Sequence, residues 1–255
     1  MAVSSLNEAC ARQASHFDEE WKRIALKKIN ETLKVPGFAN LAGKRVLVCS
    51  CGSGIEPVMA ARAGAEVYAV DISSVGVANA QNMARFNEVR VEAEVMDLHR
   101  LRYPDNFFDV IYGSAILHHL DCSIFGLEMI RCLKGGGIAY FFDENRDSNP
   151  ILNFFYKALS KKDTNGRFKK IAIFQRLGTA DERILSGEDL RTLSTYFSGN
   201  MKVIVNRFGF FQLLSRVIGG RFLQISTALD NAIFKIAPFL RRYSYYQDVW
   251  MEKPF

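Results

Sequence analysis

Between residues 45 and 144 the chain alternates short apolar runs with stretches of helical periodicity, and nothing else in it constrains the fold so tightly. "RVLVCS", "AEVYAVD", "VRVEAEVMD", "FFDVIYGS" and "GGGIAYFFDE" read as strands bounded by turn residues. "GIEPVMAARAG", "SSVGVANAQNMARFN" and "ILHHLDCSIFGLEMIRCLK" between them read as helices. A strand–helix–strand series of this kind predicts a parallel sheet with right-handed crossovers.

The flanks are read more coarsely. Residues 15–34 carry Phe17, Trp21, Ile24 and Ala25 on one helical stripe. Ser15 and Asp18 suggest a capping box, and Pro36 with Gly37 ends the helix. After Glu144 the pattern changes to a polar, aromatic, Lys-rich stretch with one helical piece, "PILNFFYKALSKK". Ser186 and Asp189 cap a further helix, "GEDLRTLSTYF". "MKVIVNRFG" and "YYQDVWMEK" read as strands on either side of the apolar stretch 209–240.

In an open α/β sheet, ligands sit beyond the carboxyl ends of the strands. The residues at those ends are Cys49 to Gly54, Asp71, Asp97, Gly113 with Ser114, and Asp143 with Glu144. A glycine turn after the first strand lets a ligand approach the backbone. Asp71 stands nineteen positions after Gly52, the distance at which an acid can grip ribose hydroxyls. A carboxylate accepts two hydrogen bonds from a vicinal diol. Asp97 is placed to accept from an exocyclic adenine amine. Together they describe a nucleoside pocket. A pyrophosphate would want a bare helix N-terminus, but Glu56 occupies the first helical turn and Pro57 the third-glycine position. A carboxylate there attracts a sulfonium or an ammonium, which favours S-adenosylmethionine over a nicotinamide dinucleotide.

"VLVCSCGSG", "VYAVDIS", "VMDLHRL", "FDVIYGSAILHHLD" and "RCLKGGGIAYFFDE", in this order and spacing, resemble the class I S-adenosylmethionine-dependent methyltransferases over about residues 45 to 144. The resemblance implies a Rossmann-like, mostly parallel seven-stranded α/β sheet with helices on both faces and a helical substrate cap. On that plan 1–44 is an N-terminal helical lid and 45–144 the cofactor-binding core. Residues 145–200 are then a substrate-side insertion with helices, and 201–255 the final strands with apolar helices between. It further implies that Ser50, Gly52 and Gly54 lie under the methionine part of the cofactor. Asp71 holds the ribose, with Ile72 on the adenine. Asp97 takes the adenine amine, with Leu98 beside it. Ser114 lines the methyl-transfer face and Phe17 lids the pocket. Two positions depart from the family: Val48 stands where an acid is common, and Ser50 where glycine is. Glu56 or a water network is the candidate replacement for the missing acid at the methionine ammonium.

Methyl transfer from a sulfonium is an in-line displacement, and a base near neutral pKa assists when the acceptor carries a proton. "AILHH" resembles small-molecule methyltransferases whose first histidine here is a base, so His118 is the first candidate and His119 the second. Glu144 and Asp143 are candidates to orient the acceptor. Phe154, Phe155, Tyr156, Phe208, Phe210 and Phe211 suit an apolar or aromatic acceptor: a secondary metabolite, quinone or lipid.

The formal charge is +6, with Lys and Arg scattered in pairs and no basic tract, so nucleic acid is not an expected partner. A peripheral membrane contact through a basic amphipathic surface is compatible with this balance. Five cysteines without a CxxC predict free thiols and no metal. With no apolar signal core and no long apolar run, a cytoplasmic protein is expected. Methylation of RNA or protein, and a non-catalytic cofactor-binding module, are the alternative readings.

Overall fold

The structure is a computed structural model, and it describes residues 2–144, 161–162, 168–169, 185–207, 211, 222–243 and 246–255. Five parallel strands form the centre: β1 (Arg45–Cys49), β2 (Glu66–Asp71), β3 (Glu92–Val95), β4 (Phe108–Ser114) and β5 (Leu133–Glu144). β6 (Met201–Arg207) and β7 (Tyr246–Glu252) complete a seven-stranded sheet of order β3-β2-β1-β4-β5-β7-β6. β7 runs antiparallel to both of its neighbours. The chain starts at the central strand and winds outward first on one side, then on the other. This leaves a crevice between the ends of β1 and β4, the switch point where such sheets hold ligands.

Period-two alternation sends β1 to both cores. Val46 and Val48 join Val35, Val77, Val110 and Ile138 on one face. Leu47 and Cys49 join Phe108, Ile111, Phe125 and Phe141 on the other. Val48 therefore stands in apolar packing, where a carboxylate would be stranded. Helices α2 (Ile55–Arg62), α3 (Ser74–Phe86) and α4 (Cys122–Cys132) follow β1, β2 and β4. The stretch read as one helix from Ile116 is divided: Leu117–His119 form a 3-10 turn, and Asp121 then caps α4. Helix α5 (Gly187–Tyr196) begins at the predicted capping box of Ser186 and Asp189. Helix α6 (Leu223–Ile236) and the 3-10 turn Pro238–Tyr243 precede β7.

The N-terminal helix differs from the expected 15–34. Helix α1 spans Ala2–Trp21, and the chain is non-helical from Ile24 to Val35. That strap buries Ile29, Leu33 and Val35. Its Ile29 N–H donates to Asn87 Oδ1 at 2.8 Å, and its Leu33 N–H to the Met59 carbonyl at 2.9 Å. Neighbouring elements thus supply acceptors that compete with a helix. Ser15 and Asp18 lie inside α1, so they form no capping box there. Instead Asp18 Oδ1 accepts from Ser73 Oγ at 2.6 Å and Val75 N–H at 3.2 Å, at the N-terminus of α3. Of the helix expected at "PILNFFYKALSKK", residues 150–160 lie outside the described residues, while Lys161–Lys162 are extended and pair antiparallel with Phe168–Lys169. Phe154, Phe155, Tyr156, Phe208 and Phe210 and the Glu144 side chain also lie outside the described residues.

Candidate active site

A cleft enclosing about 410 Å³ of space open to solvent lies beyond the ends of β1 to β4. Helix α1 contributes Cys10, Gln13 and Phe17 to it, and the β1 loop Ser50. The β2 end adds Asp71 and Ile72; the β3 end adds Met96, Asp97, Leu98 and His99. Ile116, His119 and Leu120 come from the turn after β4. Of the residues expected from sequence, the cleft gathers Phe17, Ser50, Asp71, Ile72, Asp97, Leu98 and His119. Gly52, Gly54, Glu56, Ser114 and His118 stand outside its lining.

The β1 loop is tight. Ser50 has φ 58°, Gly52 φ 30° and Gly54 φ 78°. A Cβ on Gly52 would stand 2.6 Å from the Trp21 ring, so α1 closes down on this backbone. Trp21 Nε1 is buried and has no acceptor among the described residues. Phe17 stacks on Trp21 at 6.3 Å and meets His119 edge-on at 5.4 Å. A row of rings therefore crosses the cleft from the glycine loop to the β4 turn.

The two acids share one local design. Asp71 accepts from the Ser73 N–H at 2.9 Å, and Asp97 from the His99 N–H at 2.9 Å. Each is an Asx turn that holds its carboxylate at the strand end. Asp71 Oδ2 also accepts the Gly52 N–H at 2.8 Å, tying the β2 end to the glycine loop. Burial pushes the Asp71 carboxyl above its ordinary range, against the backbone donors that favour its charge. Asp97 is pushed up by burial too, but the His99 ring and N–H together hold it below its usual value. Every carboxylate oxygen has a second lone pair, so both acids keep capacity for a ligand diol or amine.

His99, Cys10, Gln13, Met96, Ile116 and Leu120 are site residues that the sequence reading did not single out. For His99 the signal was present: Asp-x-His after a strand is an Asx-turn pattern, as is Asp-x-Ser at Asp71. His99 Nδ1 lies 2.8 Å from Asp97 Oδ1, while its Nε2 accepts the Asp121 N–H at 2.9 Å. An acceptor Nε2 makes Nδ1 the protonated nitrogen, so His99 donates to Asp97. Cys10 Sγ donates to Asp97 Oδ2 at 3.6 Å, and burial with the Asp97 charge pushes this thiol up to about 11. Cys10, Asp97 and His99 are close enough together to hold a metal ion. Their hydrogen bonds already account for the cluster: the facing nitrogen carries a proton and the thiol stays protonated.

The two adjacent histidines part ways. His119 faces the cleft. His118 is buried at 7% exposure, with Nδ1 2.6 Å from Asp143 Oδ1. Asp143 also accepts the Leu117 N–H at 2.7 Å, so this pair braces the turn. Glu56, in the first turn of α2, is partly buried; burial lifts its carboxyl above the ordinary range, and its own backbone N–H and then Lys27 oppose this. Ser114 ends β4 beside Ala115, which is left-handed at φ 53°.

The geometry fits an adenosine-bearing ligand: an apolar slot with an acid at each of two strand ends, a glycine backbone and an unused indole N–H. Residues 47–141 match the methyltransferase-domain family. Over 124 residues the chain is 32% identical to the 2-methyl-6-phytyl-1,4-hydroquinone methyltransferase of Synechocystis sp., covering 47% of this chain and 39% of that protein. Over 107 residues it is 27% identical to the ubiquinone biosynthesis O-methyltransferase of Rhizobium etli, covering 42% and 43%. The matches thus span less than half the length of these relatives. Among solved structures, the fold is similar to geranyl diphosphate C-methyltransferase from Streptomyces coelicolor, with TM-score 0.57 at 14% identity over 97% of this chain and 98% of that one. Residues 47–141 of this chain are thus similar to a methyltransferase domain, set in a seven-stranded sheet of order β3-β2-β1-β4-β5-β7-β6.

Proposed function

We propose that the protein binds S-adenosylmethionine in this cleft and transfers its methyl group to a small apolar or aromatic acceptor, releasing S-adenosylhomocysteine. The observation that carries the reading is the pair of Asx-turned acids, Asp71 and Asp97, facing one apolar slot beside a glycine backbone. In this reading Asp71 accepts from both ribose hydroxyls, and Asp97 from the adenine amine. Ile72 and Leu98 sandwich the base, and Ser50, Gly52 and Gly54 hold the methionine end. Trp21 Nε1 supplies a donor for the carboxylate of that end, and Glu56 a charge for its ammonium. Phe17 shuts the slot from above.

The bound cofactor supplies an electrophilic methyl group on sulfur. The chain's part is to exclude water, align the acceptor and take up its proton. His119 is the group we assign to the proton, because its ring faces the cleft. His118 and Asp143 hold the turn that carries it, while Ser114 flanks the acceptor. Similarity to two quinone-pathway enzymes supports a ring-bearing acceptor such as a hydroquinone or phenol.

Two measurements test this. Calorimetry with S-adenosylhomocysteine should show one-site binding that Asp71→Ala weakens by about a hundredfold. Labelled S-adenosylmethionine should then pass its methyl group to members of a quinol and phenol panel. Absence of binding overturns the cofactor assignment. Binding with transfer only to a polar acceptor, or to RNA or protein, overturns the acceptor class.

A further inference from the structure

Helix α6 turns its faces the opposite way from a water-facing helix. Its buried positions are Ser226, Asp230 and Phe234, at 7%, 1% and 6% exposure. Its open side carries Phe222, Ile225, Leu229 and Ile236, at 54%, 60%, 47% and 84%. Spacings of three, four and seven put these on one stripe. Phe239, in the turn that follows, adds a ring at 67% exposure. The inward Asp230 accepts a hydrogen bond from the Phe211 N–H at 3.1 Å. A soluble helix of this length ordinarily buries the apolar stripe and wets the polar one. A contiguous outward stripe of this size marks a contact surface.

Charge identifies what covers it. In residues 222–243 Asp230 is the only acid, and it is buried. Lys235 is exposed on α6, and the turn carries Arg241 and Arg242. The stripe is thus accompanied by cations with no exposed acid in its own segment. The whole chain has a formal charge of +6. A second copy seated on this face would bring like charge against like. No helix among the described residues is long and apolar enough to cross a membrane, so the apolar stripe does not belong to a span. An apolar face with basic companions is what lies in the plane of an anionic bilayer surface.

We propose that α6 and its following turn dock the protein on an anionic membrane surface. Phe222, Ile225, Leu229, Ile236 and Phe239 enter the acyl boundary, and Lys235 meets the headgroups, with Arg241 and Arg242 adding positive charge to the same segment. As a route for collecting an apolar acceptor this rests on the methyl-transfer reading; the docking itself stands on the helix alone.

The test is flotation of the full chain with phosphatidylcholine vesicles, with and without phosphatidylglycerol. Binding is expected to the anionic vesicles, roughly tenfold weaker to the neutral ones, and to fall with added salt. The double variant Ile225→Glu with Leu229→Glu should lose at least about tenfold in binding while keeping its circular dichroism and its heat of S-adenosylhomocysteine binding. Lys235→Glu, away from the apolar stripe, should reduce only the preference for anionic lipid. Absence of flotation, wild-type flotation of the double variant, or a dimer in sedimentation that the double variant dissolves without any vesicle binding would each overturn the proposal. Failure to float with intact S-adenosylhomocysteine binding removes the docking surface alone. Flotation without that binding removes the cofactor reading alone.

Discussion

Ser50 sits at φ 58°, a left-handed backbone that costs a residue with a Cβ about 1–2 kcal/mol. Replacing it by glycine removes that strain but adds unfolded-state freedom. Ser50→Gly is therefore expected to stabilise the fold by about 0.5 kcal/mol, read as a higher urea midpoint at unchanged slope. The histidine pair separates two kinds of loss. His118→Ala leaves the buried Asp143 carboxylate short of a donor and should cost about 2–4 kcal/mol in urea unfolding. His119→Ala should cost under about 1 kcal/mol, because its ring borders open space. On the proposed mechanism it should lower the methyl-transfer rate, read with labelled S-adenosylmethionine. Asp109 gives a pH signature. It is partly buried, which pushes its carboxyl up, but Lys134, the Arg45 N–H and Lys44 hold it below the ordinary value. A depressed acid stabilises the fold above its unfolded pKa, near 3.9, and that contribution is lost as pH falls through the lower folded pKa. Acid titration of stability should be shallower in Asp109→Asn than in the wild type over that window.

At the scale of elements, the ends of helices carry much of the specification. Ser73 accepts the Gly76 N–H, Asp121 the Ser123 N–H and Ser186 the Asp189 N–H, each opening one helix. Ser186→Ala breaks a reciprocal capping box and should destabilise by about 1 kcal/mol, measured by thermal and urea unfolding. The same helix, α5, presses Tyr196 against Gly126 of α4, where a Cβ would stand 2.5 Å from the ring. Helix α1 is specified differently. Its periodicity names the stripe of Phe17 and Trp21, yet its span from Ala2 to Trp21 depends on partners far away in sequence. Asp18 reaches the start of α3, and the strap after Trp21 borrows acceptors from Asn87 and Met59. None of those bonds exists in a local window, so the boundary was misplaced when judged from periodicity alone.

For the whole molecule, ligand linkage offers a readout independent of turnover. A ligand that binds only the folded state at a hundredfold excess over Kd adds about 2.7 kcal/mol. For a chain of this size that corresponds to a rise in Tm on the order of 5–10 °C. S-adenosylhomocysteine should produce this shift, and Asp71→Ala should abolish it. The sheet supplies the physical coupling. Asp71 ties the β2 end to the β1 loop, and His99 ties the Asp97 turn to the N-terminus of α4. A ligand gripping both acids thus fastens three neighbouring strand ends and the start of α4.

How much of this was legible in sequence follows from range. The strands β1 to β7, the helices between them and the acids at their ends are written in local alternation, apolar period and Asx or capping patterns. These act within a few residues and need no partner to be recognised. The switch point follows from topology, so the cleft could be placed once the strands were known. The facing of His118 and His119 could not. Adjacent residues on a 3-10 turn differ by a third of a revolution, and Asp143, on the next strand, decided which ring is held inside. Likewise only tertiary packing set Trp21 against Gly52 and turned the polar side of α6 inward. The sequence determined the elements and their chemistry; the orientation of each side chain was decided by which distant donor, acceptor or apolar surface it could satisfy.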